Sequence, residues 1–151
     1  MIRPATAADA DGISRLLAQL EYPGTEGFIT SRLETMLADA AEILLVWAEP
    51  PAAPESADPP NADAILAVLS LHFIPQLALK GDFARISYFA VDGNARSRGI
   101  GSLLEAEATR LARERGCALL EVHCHTRRTR AHEFYARQGF EESPKYLIKR
   151  L

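Results

Sequence analysis

Apolar residues recur along this chain with two different periods. Ile13, Leu16, Leu17 and Leu20 follow three- and four-residue spacing, as do Ile29, Leu33, Met36 and Leu37, and then Ile100, Leu103, Leu104, Ala108 and Leu111. That spacing puts apolar side chains on one face of a helix. Thr6 and Asp9 are candidate caps for the first helix, and Tyr22-Pro23-Gly24 ends it. The second begins near Thr25, and the third, over residues 100–115, stops at Gly116, a suitable C′ residue. A fourth helical pattern covers residues 126–138, with Ala131, Phe134, Tyr135 and Gln138 on one side and Gly139 at its end. The remaining apolar runs are short and read as strands: one opening at Ile2, then residues 43–48, 64–73, 85–91, 118–124 and 145–150. The run over 85–91 is apolar on both faces apart from Ser87 and the Tyr88 hydroxyl, which suits the centre of a sheet.

The order is therefore β-α-α-β-β-β-α-β-α-β, an α/β (α+β) pattern. A strand-helix-strand unit spans residues 86–124, and such a crossover makes its two strands parallel. The closely spaced strands before it are expected to be antiparallel. The pattern thus predicts a mixed, largely antiparallel sheet with helices on both faces. The chain of 151 residues suits a single domain over 1–151 with a real core. Residues 49–62 are rich in proline, which removes donors and resists packing, so they are expected to form a loop between neighbouring strands.

Composition narrows the function classes. Hydrophobic residues make up 48% and charged residues 25%, the usual balance of a globular domain. A formal charge of −3 supplies no domain-wide basic field, which disfavours general nucleic-acid binding. No apolar run reaches the length of a membrane span, and Met1-Ile2-Arg3-Pro4 lacks a signal-peptide core, so no membrane partner and a cytoplasmic location are expected. Cys117 and Cys124 fall in one expected strand, about 23 Å apart if extended. A disulfide needs Cα atoms within about 7 Å, so both read as free thiols.

The chemistry concentrates after the central strand. There Arg96-Ser97-Arg98-Gly99-Ile100-Gly101-Ser102 leads directly into the third helix. N–H groups at a helix start lack intrahelical partners, and the helix dipole adds positive charge there. Glycine permits close approach to the backbone, and two arginines add forked donors. The turn reads as an anion site suited to phosphate or pyrophosphate. It lacks the Gly-Lys-Ser/Thr ending of a P-loop and the third glycine of a dinucleotide fingerprint.

A second segment, Arg128-Thr129-Arg130-Ala131-His132-Glu133-Phe134-Tyr135-Ala136-Arg137-Gln138-Gly139-Phe140, completes the pattern. The Arg-x-x-Gly-x-Gly turn and the Ala-x-x-Phe-Tyr-x-x-x-Gly-Phe helix, on these elements and in this order, resemble the GNAT superfamily of acyl-CoA-dependent N-acyltransferases over nearly the whole chain. The resemblance implies acetyl-CoA as co-substrate, no metal, and direct transfer to a primary amine. The match is nearest to small-molecule amine acetyltransferases such as the aminoalkylphosphonate type. A protein or peptide N-acetyltransferase, and a non-catalytic acyl-CoA-binding regulatory module, are the other readings. Some relatives dimerise, so a homodimer is an open expectation.

The resemblance also implies residue roles. The strand holding Ser87, Phe89, Ala90 and Val91 is expected to splay from the strand at 119–124, with the pantetheine arm in the gap and backbone near Phe89, Ala90 and Val91 bonding it. Arg96, Ser97, Arg98, Gly99, Ile100, Gly101 and Ser102 would hold the pyrophosphate, and Phe134 would border the coenzyme. Tyr135 would stand beside the thioester sulfur. A phenol, with a reference pKa of about 10, can donate a hydrogen bond or proton to a departing thiolate. Many relatives carry glutamate where this chain has Ser87, so Ser87 is expected to orient a water that takes the amine proton. His72, Glu121 and His123 are weaker candidates for a base. Arg128 stands where many relatives have asparagine, and Arg128 or Arg130 could meet coenzyme phosphates or an acidic substrate group. His123-Cys124-His125 offers no third metal ligand, and direct transfer needs no Cys124 nucleophile.

Overall fold

The structure, a computed structural model, describes residues 1–50, 63–143 and 147–151. Its elements run β1 (Ile2–Pro4), a 3-10 turn (Ala7–Asp9), α1 (Ala10–Gln19), α2 (Ile29–Leu37), β2 (Glu42–Glu49), β3 (Ala64–Ile74), β4 (Phe83–Val91), a second 3-10 turn (Gly93–Ala95), α3 (Ile100–Glu114), β5 (Leu119–Val122) and α4 (Thr129–Arg137). The five strands form one sheet in chain order, antiparallel from β1 to β4 and parallel between β4 and β5.

Alternation along the strands feeds two cores. On one face, Leu44, Val46, Val68 and Ala90 meet Ile13, Leu16, Leu17, Ile29 and Leu33 of α1 and α2. On the other, Leu69, Leu71, Phe73, Ala84 and Ile86 meet Ile100, Leu104, Ala108 and Ala112 of α3. Helices therefore cover both faces, as the sequence pattern predicts. Thr6 and Asp9 do form a capping box, on the 3-10 turn that leads into α1. Asp9 is buried and receives both Nη atoms of Arg3 at 2.8 Å.

Three expectations change at the C-terminal side. The closing strand over 145–150 is not seen: residues 147–150 lie in no strand, and Lys145 and Tyr146 fall outside the described residues. The exposed Leu147 and Ile148 bury nothing that would hold a strand there. The expected strand 118–124 shortens to four residues, because pairing with β4 ends at Ile86 and Val122. Cys117 and Cys124 consequently lie outside β5, both as free thiols, and His123 and His125 are past the strand rather than on one face of it. The Pro-rich loop lies outside the described residues from position 51 to 62.

Candidate active site

β4 carries the key irregularity. Leu71 pairs with Ile86 and Ser70 with Tyr88, so Ser87 is an extra residue without a register partner. A bulge of this kind bends the strand and re-aims the residues beyond it. From that point β4 stays paired to β3 but has left β5, whose register stops at Ile86. Residues 87–91 thus present one strand edge with no strand partner among the described residues. Unpaired N–H and C=O groups on such an edge can accept an extended ligand as an added strand.

The turn after β4 is anchored from α1. The buried Asp92 carboxylate accepts from the Asn94 N–H at 2.9 Å and pairs with Arg15, and these hold it below the usual carboxylate range. Gln19 Oε1 accepts from Gly93 N–H at 3.0 Å. Ser97 (φ 66°) and Gly99 (φ 77°) both turn left-handed before the helix starts. For glycine that conformation is free of Cβ strain; for Ser97 it is an outlier held by the anchored turn. Gly99 is the N-cap of α3 and supplies no side-chain cap, so the first N–H groups of α3 have no capping side chain to accept from them.

α4 closes the other side. Its Phe134 ring lies edge-on to Phe89 at 5.9 Å, and a Cβ at Gly101 would stand 3.4 Å from the same ring. Gln138 Nε2 donates to Ser102 Oγ at 3.2 Å. α4 is therefore packed directly against the start of α3 at Gly101 and Ser102. Tyr135 sits among Phe134 (5.2 Å between ring centres) and Phe140 (5.3 Å). Burial, then the nearby Cys124 and Glu105, push its phenol well above the usual range, with Arg128 opposing.

These parts enclose a cleft of about 970 Å³. Phe89, Ala90, Val91, Arg96, Ser97, Gly99, Ile100, Gly101, Ser102, Arg128, Phe134 and Tyr135 all line it, as does Arg130. Ser87 and Arg98 do not: Ser87 is exposed at the bulge, and Arg98 turns away to pair with Glu49. Among the weaker base candidates, Glu121 is engaged by Arg85 Nε at 2.7 Å and His72 by Glu42. No group of three or more His, Cys, Asp or Glu among the described residues could hold a metal ion.

The cleft also includes Gln19 and Leu20 at the end of α1, and Arg127 and Arg137. Sequence reasoning missed these four. Arg137 had a signal, lying seven residues after Arg130 on one face of a helix. Gln19 and Leu20 had none, because their place depends on how α1 lies across the sheet.

The rice glucosamine 6-phosphate N-acetyltransferase 1 (Oryza sativa subsp. japonica) is 33% identical over 144 residues, 93% of this chain and 81% of that protein. A structure described as a transcriptional regulator from Bacillus halodurans superposes with a TM-score of 0.84 at 26% identity, covering 100% of this chain and 99% of that one. An aminoglycoside N-acetyltransferase solved with CoA shares the fold at a TM-score of 0.78 and 16% identity, over 100% of this chain and 93% of that one. The model of the acetyltransferase (GNAT) family matches residues 17–140, so the chain belongs to the GNAT family and is an N-acetyltransferase.

Proposed function

We propose that this enzyme transfers an acetyl group from acetyl-CoA directly to the primary amine of a small molecule. The observation that carries this reading is one continuous cleft. It joins the uncapped start of α3, the unpaired edge of β4 at residues 89–91, and the half-buried Tyr135. The donor groups suit the coenzyme: backbone N–H groups and Arg96 for the pyrophosphate, the strand edge for the pantetheine amides. The small-molecule acceptor is supported by the rice relative, whose named substrate is an amino sugar phosphate.

Acetyl-CoA supplies an activated thioester, and amine attack expels a thiolate. In this reading Tyr135 is the donor to that thiolate. Its raised pKa means that it keeps its proton throughout the neutral and mildly alkaline range. We therefore assign it hydrogen-bond donation to the departing sulfur rather than full proton release. Backbone N–H near Phe89 would polarise the thioester carbonyl. Phe89, Ala90, Val91, Ser97, Gly99, Ile100, Gly101, Ser102 and Phe134 would hold the coenzyme with Arg96. Ser87, exposed at the bulge, would act on the amine through a water. The two free thiols agree with a reducing, cytoplasmic setting.

The test is thermal unfolding with and without acetyl-CoA, followed by release of free CoA thiol across an amine panel. The expected result is a rise in the midpoint, since a ligand binding only the native state stabilises it. Arg96→Ala should reduce that rise and weaken acetyl-CoA binding about tenfold. No rise at millimolar acetyl-CoA would overturn the reading.

A further inference from the structure

Several arginines line the cleft, and the coenzyme reading above gives a role to Arg96 alone. Arg96 lies by the start of α3, where the pyrophosphate is placed. Arg127 and Arg128 lie immediately before α4, against the end of α1. There Arg128 Nη2 donates to the Leu20 carbonyl at 2.8 Å, and to Glu21 Oε2 at 3.2 Å. Arg127 Nη2 pairs with the same Glu21 oxygen. Two guanidinium groups thus converge on one carboxylate. Glu21 itself is held at a left-handed φ of 72°, a conformation unfavourable for a residue with a Cβ.

Where this pair sits decides what it serves. Arg128 lines the same cleft as Tyr135, and its charge is among those that act on the phenol. The α1–α2 connection forms the facing wall, through Gln19 and Leu20. The Arg127 and Glu21 side chains are 61% and 59% exposed. Such surface ion pairs contribute little and are readily exchanged for another anion. Two forked donors converging on one oxygen suit a carboxylate or phosphate group.

We propose that Arg127 and Arg128 form an anion subsite at the acceptor end of the cleft, closed by Glu21 until a substrate anion replaces it, and that the acceptor amine carries a phosphate or carboxylate. This rests on the acetyltransferase reading above and names its substrate class.

The experiment uses the full chain saturated with CoA, so that the coenzyme's own phosphate sites are filled, and titrates inorganic phosphate while following the melting midpoint. The wild type should show a phosphate-dependent rise. Glu21→Gln should respond at about fivefold lower phosphate, and Arg127→Ala should be flat. Both positions are exposed, so folding is not at stake. In turnover, phosphoethanolamine should exceed ethanolamine in kcat/KM, and Arg127→Ala should cut that ratio about tenfold. A CoA-saturated wild type that ignores phosphate, or a response that survives Arg127→Ala, would overturn the subsite. So would a loss of CoA affinity in Arg127→Ala with the turnover ratio intact, because the arginines would then serve the coenzyme. Failure of the acetyltransferase reading would appear separately, as absence of any midpoint rise with acetyl-CoA.

Discussion

The two halves of β4 are built from similar residues and end in different states. Residues 83–86 pair on both sides, with β3 and with β5, and place Ala84 and Ile86 in the core beneath α3. Residues 88–91 pair only with β3, Ser87 has no register partner, and Ser87 and Tyr88 are exposed. The division falls at the bulge opposite Ser70 and Leu71. The first half supplies cohesion. The second supplies unused hydrogen-bonding capacity beside a helix start that is likewise unsatisfied. An open strand edge arises where the fold stops pairing, and the paired half keeps that edge in place.

Substitutions on either side of the bulge should separate stability from activity. The largest effect is expected at Ile86, 2% exposed in the paired half. Ile86→Ala should cost about 2–5 kcal/mol through lost burial and a residual cavity, measured by denaturant unfolding. A cost under about 1 kcal/mol would mean that the paired half is not the structural one. Next is Tyr135, across from the free half. Tyr135→Phe should lower kcat about 100-fold with acetyl-CoA affinity little changed, read from initial rates and binding. An unaltered kcat would return Tyr135 to a packing role among Phe134 and Phe140.

The smallest effect concerns acid. Arg3 first, and then the Thr6 backbone, hold Asp9 below the usual carboxylate range. A carboxylate depressed in the folded state contributes stability that is fully present above its unfolded pKa of about 4. That contribution is lost as pH falls through the lower folded value. Melting midpoints should therefore drop by a few degrees below about pH 4, and Asp9→Asn should flatten that drop. An identical acid profile in the variant would assign the loss to other carboxylates such as Asp92.

The sequence made the helices and most strands legible because their apolar periods are strong and their ends are punctuated. Thr6 and Asp9 cap, Gly116 and Gly139 stop. It misjudged residues 118–124 because a short apolar run states only that its side chains prefer burial. Where β5 ends was decided by β4 turning away, which left nothing to pair with beyond Val122. The run at 147–150 failed for a related reason, since alternation without an observed neighbour predicts a strand that the fold does not use.

The site divides in the same way. The turn from Arg96 to Ser102 and the Phe134-Tyr135 pair were readable, because a helix start with glycine and a helical aromatic face are local features. Local features could not show that Arg98 turns to Glu49, that Arg128 reaches Leu20, or that Glu21 pairs with Arg127. Those contacts join residues 49, 108 and 106 positions apart, and their partners are chosen by how the turn before α3 meets the end of β2 and how the segment before α4 meets the end of α1. What the sequence determined alone was the helices, most of the strands and the glycine-containing turn at the start of α3, whose features lie within a few consecutive residues. What only the tertiary structure decided was the cleft itself, because its walls come from a strand edge left unpaired and from helices brought together by packing.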